Sequence, residues 1–206
     1  MQKYFDFVSE KLFEQNSLED LESIFKSINL KTIYITRLIN NKKDFQKSFE
    51  IPKSKNKSII FKKAYLFSNV ELYKNLKSKT KEVSLILGQT IKSNSAAVNV
   101  KNIILFDVIS DKLAFDEANT RLASKNKVKI LFNFNLWRNK NQSKAIKQSL
   151  FIIPLLKNHL VDMLFCSMAE KTDDLLDFRI LKGFLQNFDL NENLINRFLT
   201  EDITKK

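Results

Sequence analysis

The feature that most constrains the fold of this chain is a regular alternation of short apolar segments with longer amphipathic ones. The apolar segments are rich in Ile, Leu, Val and Phe, which is typical of strands buried on both faces of a parallel sheet. The intervening segments have helical spacing, so the chain reads as successive β-α-β units. The predicted strands are 4–8, 32–36, 58–67 (one strand or a bent hairpin), 82–87, 102–106, 128–134 and 163–167.

The helices between these strands have recognisable starts and interruptions. Ser17 is a plausible N-cap, and Pro154 removes one backbone hydrogen bond from a long helix and should kink it. The segment 40–57 is too polar to bury and is predicted as a Lys-rich loop with at most one helical turn. The predicted helices are 17–25, about 70–78, about 94–99, 113–125, 142–159, 177–188 and about 192–199.

These elements favour an α/β fold with a single TIM-barrel-like (β/α) domain over residues 1–206. Gly88 and Gly183 are the only glycines in the sequence. A phosphate-binding loop needs several clustered glycines so that the backbone can approach the phosphate, so Walker and dinucleotide-binding loops are excluded. The interval between strands, about 20 to 30 residues, fits a barrel slightly better than an open sheet.

The sequence has one cysteine and one histidine, and this excludes several classes of metal and disulfide site. Cys166 is the one cysteine, so an internal disulfide and a cysteine-based zinc site are excluded. His159 is the one histidine, which excludes multi-histidine metal centres. We interpret Cys166 as a buried inert thiol and His159 as a residue at the end of a helix. Ser167 has no Gly-x-Ser-x-Gly motif and no histidine nearby in the sequence, so we do not expect it to be a hydrolase nucleophile. No run of about 18 apolar residues and no secretory leader is seen, so we expect a cytoplasmic protein without membrane contact.

The positive charge is concentrated in the middle of the sequence. The net charge is +12 and the isoelectric point about 9.6, which favours a polyanionic partner. Residues 41–81 carry twelve Lys against three acidic residues, and residues 121–148 carry eight basic residues and no acidic one. The ends are acidic, with net charges of −3 over 1–30 and −5 over 160–202. General use of Lys at exposed positions is the alternative explanation.

Functional residues of such barrels follow the carboxyl ends of the strands. Arginine and lysine there can hold phosphates, while Trp137 could stack on a base or pack against a helix. Asp6, Asp107 and Asp111 could gather as ligands for Mg²⁺ or Mn²⁺, or have structural roles. The residues at predicted strand ends are Arg37, Lys92, Asp107, Asp111, Lys112, Arg138, Lys140, Glu170 and Lys171.

Three stretches, 115–128, 164–169 and 173–181, resemble in order and spacing the protein component 3 family of archaeal ribonuclease P, which is homologous to the thirty-kilodalton subunit of the eukaryotic enzyme. Asn94-Ser95-Ala96-Ala97 is similar to that family's Asn-Arg-Ala-Ala helix, and the likeness spans roughly residues 83–190. Arg179 matches a family arginine. Glu117 and Trp137 stand where the family has a histidine and an arginine, and Leu176 replaces a second arginine.

The resemblance implies a barrel related in fold to the PHP metal-dependent phosphoesterases but without their metal site. It implies a non-catalytic subunit of ribonuclease P, a ribonucleoprotein endonuclease, with a Pop5-type protein partner. The catalytic RNA would remove 5′ leaders from precursor tRNA, with Mg²⁺ associated with the RNA and no cofactor held by the protein.

We predict RNA contacts for six basic residues of the central and C-terminal parts of the chain. They are Arg138, Lys140, Lys144 and Arg179, with Arg121 and Lys125 behind them. The alternative function is a divergent metal-dependent barrel phosphoesterase that uses Asp6, Asp107 and Asp111.

Overall fold

Within the described residues, seven parallel strands follow one another in chain order to form the wall of a barrel. The computed structural model describes residues 4–54, 57–88, 90–109, 115–138 and 142–200. Each strand pairs in parallel with the next one along the chain. The predicted TIM-barrel-like α/β fold is therefore confirmed. The strands are β1 (Tyr4–Ser9), β2 (Leu30–Ile39), β3 (Ile60–Phe67), β4 (Val83–Leu87), β5 (Ile104–Phe106), β6 (Lys129–Asn133) and β7 (Met163–Cys166).

The barrel closes between β1 and the residues that follow β7. The Met168 N–H donates to the Phe7 carbonyl at 2.8 Å, and the Ser9 N–H donates to the Ala169 carbonyl at 3.0 Å. Val8 and Ala169 form a parallel bridge. We call this junction the seam.

The predicted helices are present, and side-chain caps explain where two of them begin. Ser17 caps its helix as predicted, because its side chain accepts the Asp20 N–H. Residues 113 and 114 of the helix predicted over 113–125 lie outside the described residues; in the described part the helix begins at Glu117, because Asp116 accepts the Asn119 N–H and caps it there. The helices are α1 (Lys11–Gln15), α2 (Leu18–Ser27), α3 (Lys42–Gln46), α4 (Val70–Leu76), α5 (Ile91–Val98), α6 (Glu117–Lys125), α7 (Gln142–Asn158), α8 (Phe178–Gln186) and α9 (Glu192–Thr200).

Alternating side chains of the strands build two apolar layers. One set fills the barrel interior, where the rings of Phe7 and Tyr34 stack at 4.7 Å between their centroids. The other set lies between the barrel wall and the helices. Because the interior is filled with apolar side chains, binding must use the ends and the outer surface of the barrel.

Candidate nucleic-acid interface

Three of the six predicted RNA-binding residues lie at the carboxyl end of the barrel, where the strands end and the helices begin. Arg138 follows a short 3₁₀ turn, Phe134–Trp137, that continues from β6. Lys144 is in the first turn of α7, and Arg179 is in the first turn of α8. All three side chains are exposed. Lys140 lies outside the described residues.

Asn135 links the loops that carry these residues. Its side-chain amide donates to the carbonyls of Ser167 and Asp174, which follow β7. Its side-chain oxygen accepts from Arg138 at 3.5 Å. Arg138 and the segment leading to Arg179 are therefore held at the same part of the carboxyl end.

Two of the predicted arginines are engaged by carboxylates. The Arg179 guanidinium contacts both oxygens of Asp177, with a shortest distance of 2.6 Å. This hydrogen-bonded pair raises the pKa of Arg179 and lowers the pKa of Asp177. Arg121 pairs with Glu117 one helical turn earlier in α6. Either arginine must exchange its carboxylate for a phosphate to bind RNA.

Lys125 lies at the opposite end of the barrel. It is the last residue of α6, which precedes the start of β6, and it is exposed. The five of these residues that the structure describes thus do not share one face, because consecutive β and α elements run between the two ends.

A basic groove at the amino ends of β4, β5, β6 and β7 was not predicted from the sequence. Its volume is about 1150 Å³. We call it the amino-end groove. Four of its five lysines belong to the two basic stretches 41–81 and 121–148, and Lys101 lies outside both, but their meeting depends on the strand order. Its basic residues are Lys77, Lys81, Lys101, Lys127 and Lys129.

Trp137 packs inside the protein rather than facing a base. It is 2% exposed, and its indole N–H donates to the Ser149 hydroxyl at 2.8 Å. Its ring contacts Phe134 and Phe184 at centroid distances of 5.3 and 4.8 Å. Of the two predicted roles, packing against a helix is the one that the structure shows.

The structure describes two of the three carboxylates that the phosphoesterase alternative would use. Asp6 is fully buried and accepts two hydrogen bonds from Ser167, while burial raises its pKa to about 7. Asp107 directly follows β5 and is buried, and Asp111 lies outside the described residues. Within the described ranges, no three His, Cys, Asp or Glu side chains gather as a metal site would require. Because Asp111 lies outside the described residues, the three-carboxylate site of this alternative stays a prediction.

Arg37, another residue at a strand end, is held by contacts within the protein. Arg37 pairs with Glu10, donates to the Lys47 and Ser48 carbonyls, and lies over the Phe49 ring at 4.3 Å. It thus anchors the loop after α3.

Glu170 pairs with Lys11 across the seam. Lys92 and Lys171 are exposed, while Lys112 lies outside the described residues.

The single cysteine and histidine also have defined places. Cys166 is buried, its Sγ donates to the Phe132 carbonyl at 3.5 Å, and burial raises its pKa well above the usual value. His159 follows α7, with its ring 3.9 Å from the Glu117 carboxylate. The thiol is buried, as predicted.

None of the helices within the described ranges has both the length and the apolar character needed to cross a bilayer.

The comparison with solved structures finds this barrel in proteins of distant sequence. No protein-family model and no curated protein matches the sequence. A chain from the cryo-EM structure of archaeal ribonuclease P with mature tRNA superposes with a TM-score of 0.71 at 18% identity, covering 93% of this chain and 85% of that one.

Two enzymes share the barrel less closely. Histidinol phosphate phosphatase from Lactococcus lactis, in complex with zinc, L-histidinol and phosphate, matches with a TM-score of 0.62 at 8% identity, covering 92% of this chain and 95% of that one. A prolidase complexed with N-methylphosphonate-L-proline gives 0.55 at 10% identity, covering 97% and 72%. The chain therefore has the fold of a protein found in archaeal ribonuclease P, on a barrel that a histidinol phosphate phosphatase and a prolidase also have.

Proposed function

We propose that this chain is a non-catalytic protein subunit of ribonuclease P, related to protein component 3 of the archaeal enzyme, and that it acts in the cytoplasm. It binds and stabilises the catalytic RNA for 5′ maturation of precursor tRNA. The observation that carries this proposal is the fold match with a ribonuclease P chain over 93% of the sequence. The family resemblance over residues 83–190 agrees with it.

The charge of the protein supports an RNA partner. The net charge of +12 favours binding to a polyanion, and each neutralised phosphate releases counterions. In this proposal the RNA and its Mg²⁺ perform the chemistry, while the protein supplies positive charge on a rigid barrel.

A Pop5-type protein partner is part of the proposal. The segment 160–202 has a net charge of −5, which suits a basic partner. Leu150 and Phe151 on α7 and Ile180 on α8 are large apolar side chains that are about half exposed or more. Such side chains at the surface suit burial against another protein.

Recovery of the tagged full-length chain from its native cells tests the proposal. We expect a large structured RNA and a Pop5-type protein to co-purify, and the complex to remove the 5′ leader of a precursor tRNA in Mg²⁺. Recovery of the chain without any RNA would overturn the proposal.

A filter-binding titration of the recovered protein complex with the recovered RNA gives a second test. Affinity should fall steeply as KCl rises from about 50 to 400 mM, because counterion release drives binding. The triple variant Arg138→Ala, Lys144→Ala and Arg179→Ala should bind more weakly than a charge-matched control. The control replaces Lys26, Lys42 and Lys43, which are exposed elsewhere on the molecule. A flat salt response would contradict the proposal.

A further inference from the structure

The amino-end groove gathers five lysines on successive elements of the barrel. Lys77 and Lys81 lie between α4 and β4, and Lys101 lies between α5 and β5. Lys127 lies between α6 and β6, and Lys129 is the first residue of β6. The topology places them together, because β4, β5 and β6 are neighbours and Ile104 pairs with Lys129 at the strand starts.

The groove is longer than a site for one small anion. It extends along the starts of four adjacent strands, which at about 4.8 Å per strand spans about 15 Å. Four of the five lysines are exposed. A surface of this length can contact several consecutive phosphates of one nucleic-acid strand.

The positive charge of the groove is not cancelled within the described ranges. None of the five lysines forms an ion pair with another described residue, although Lys77 lies 5.7 Å from the centre of the Tyr73 ring. Two acidic residues, Glu82 and Asp162, line the groove. Arg197 pairs with Asp162, which neutralises one of them.

Hydrogen bonds hold together the backbone segments that carry Lys101, Lys127 and Lys129. Asn126 donates from its side chain to the Val98 carbonyl at 2.7 Å, and its own carbonyl accepts the Asn102 N–H at 2.9 Å. The Lys129 N–H donates to the Ile103 carbonyl at 2.9 Å. A rigid backbone lowers the entropy lost on binding.

Among the described residues that line it, the groove has charge but no exposed ring for stacking. Tyr73 is the one aromatic residue among those that line it, and it is only 8% exposed. Lysine acts on phosphate as a point charge, without the planar fork with which arginine recognises it. These features suit contact with a backbone rather than recognition of a base sequence.

We propose that the amino-end groove is an RNA-binding surface that contacts the sugar–phosphate backbone without sequence preference, separate from the residues at the carboxyl end. The inference rests on the proposed function, since it assigns a second RNA contact to the same protein. The two ends of the barrel would then touch different segments of one large RNA.

Binding of a labelled RNA hairpin of arbitrary sequence, measured by fluorescence anisotropy across a KCl series, tests the groove. The groove variant carries Lys81→Ala, Lys101→Ala and Lys127→Ala, and the charge-matched control carries Lys26→Ala, Lys42→Ala and Lys43→Ala. We expect at least a tenfold weaker affinity for the groove variant, and a salt slope smaller by about 2 than that of wild type. The control should keep most of the slope. A hairpin of another sequence should give the same result.

The outcomes separate this inference from the proposed function. If wild type binds RNA and the groove variant behaves like the control, the groove is not an RNA surface, while the proposed function stands. If wild type binds no RNA at any salt concentration, both proposals fail. Circular dichroism should show an unchanged fold, because the three lysines are exposed.

Discussion

The Asp6 carboxylate accepts two hydrogen bonds from a single residue, Ser167, on the other side of the barrel seam. The Ser167 N–H donates at 2.7 Å and its hydroxyl at 2.6 Å. The same hydroxyl accepts the Ala169 N–H at 3.1 Å. A buried side chain thus joins the first strand to the segment after the last one.

This contact predicts a pH-dependent stability. Burial raises the pKa of Asp6 from 3.8 to about 7, so the folded protein keeps a proton that the unfolded chain loses at lower pH. The contribution to the unfolding free energy is fully present below about pH 4 and is lost by about pH 7. The two pKa values correspond to a loss of about 4 kcal/mol.

Urea denaturation of wild type and Asp6→Asn from pH 4 to pH 8 measures this contribution. Asparagine can accept from the Ser167 N–H but does not titrate. We expect wild type to lose stability relative to Asp6→Asn as the pH rises, with a constant difference above about pH 7. Parallel pH profiles would show that Asp6 is not protonated in the folded protein.

The only two glycines should respond oppositely to alanine. A Cβ at Gly88 would lie 2.6 Å from the Asn94 side-chain oxygen and 2.8 Å from the Asp107 carbonyl. We expect Gly88→Ala to lower the unfolding free energy by about 1 to 3 kcal/mol, through overpacking. A Cβ at Gly183, inside α8, meets nothing within 4 Å, so Gly183→Ala should raise it by about 0.5 to 1 kcal/mol. Thermal unfolding of both variants checks this, and equal effects would contradict it.

Leu160 has a left-handed backbone, with φ of 55°, in the loop between α7 and β7, and its side chain is 88% exposed. The conformation costs a residue with a Cβ about 1 to 2 kcal/mol, whereas glycine adopts it freely. Leu160→Gly should therefore raise the unfolding free energy by about 1 kcal/mol, after the larger chain entropy of glycine is subtracted. Leu160→Ala keeps the Cβ, so a similar gain from alanine in chemical denaturation would contradict the strain argument.

The fold could be predicted because each element carries its own local pattern. The strands are apolar runs, and caps such as Ser17 mark helix starts. The functional surface could not be predicted in the same way, because Lys101 and Lys129 meet only through the strand order. The bond from Asp6 to Ser167 joins residues 161 positions apart, and no local pattern indicates it. Trp137 was open to two interpretations, because the residues around it in the sequence are compatible both with an exposed ring that stacks on a base and with a ring buried in the core.

The fluorescence of Trp137 provides a direct check that its ring is buried. It is the one tryptophan in the sequence, so the intrinsic indole emission comes from this site alone. We expect a blue-shifted emission that iodide does not quench and that RNA binding does not change. Trp137→Phe leaves a void and removes the donor to Ser149, which should cost about 1 to 3 kcal/mol in urea denaturation. Strong quenching by RNA would place the ring at the RNA surface instead.

The ion pair between Arg179 and Asp177 should limit the contribution of this arginine to RNA binding. Asp177 also caps α8 by accepting the Arg179 N–H at 2.9 Å, and a serine can keep that cap. In Asp177→Ser the guanidinium is free for a phosphate, so RNA affinity should rise and the salt slope should steepen by up to about 0.9. Asp173→Ser is the matched control, because it removes the same charge from an exposed position nearby. Filter binding across a KCl series compares the two, and equal slopes would show that Arg179 does not touch the RNA.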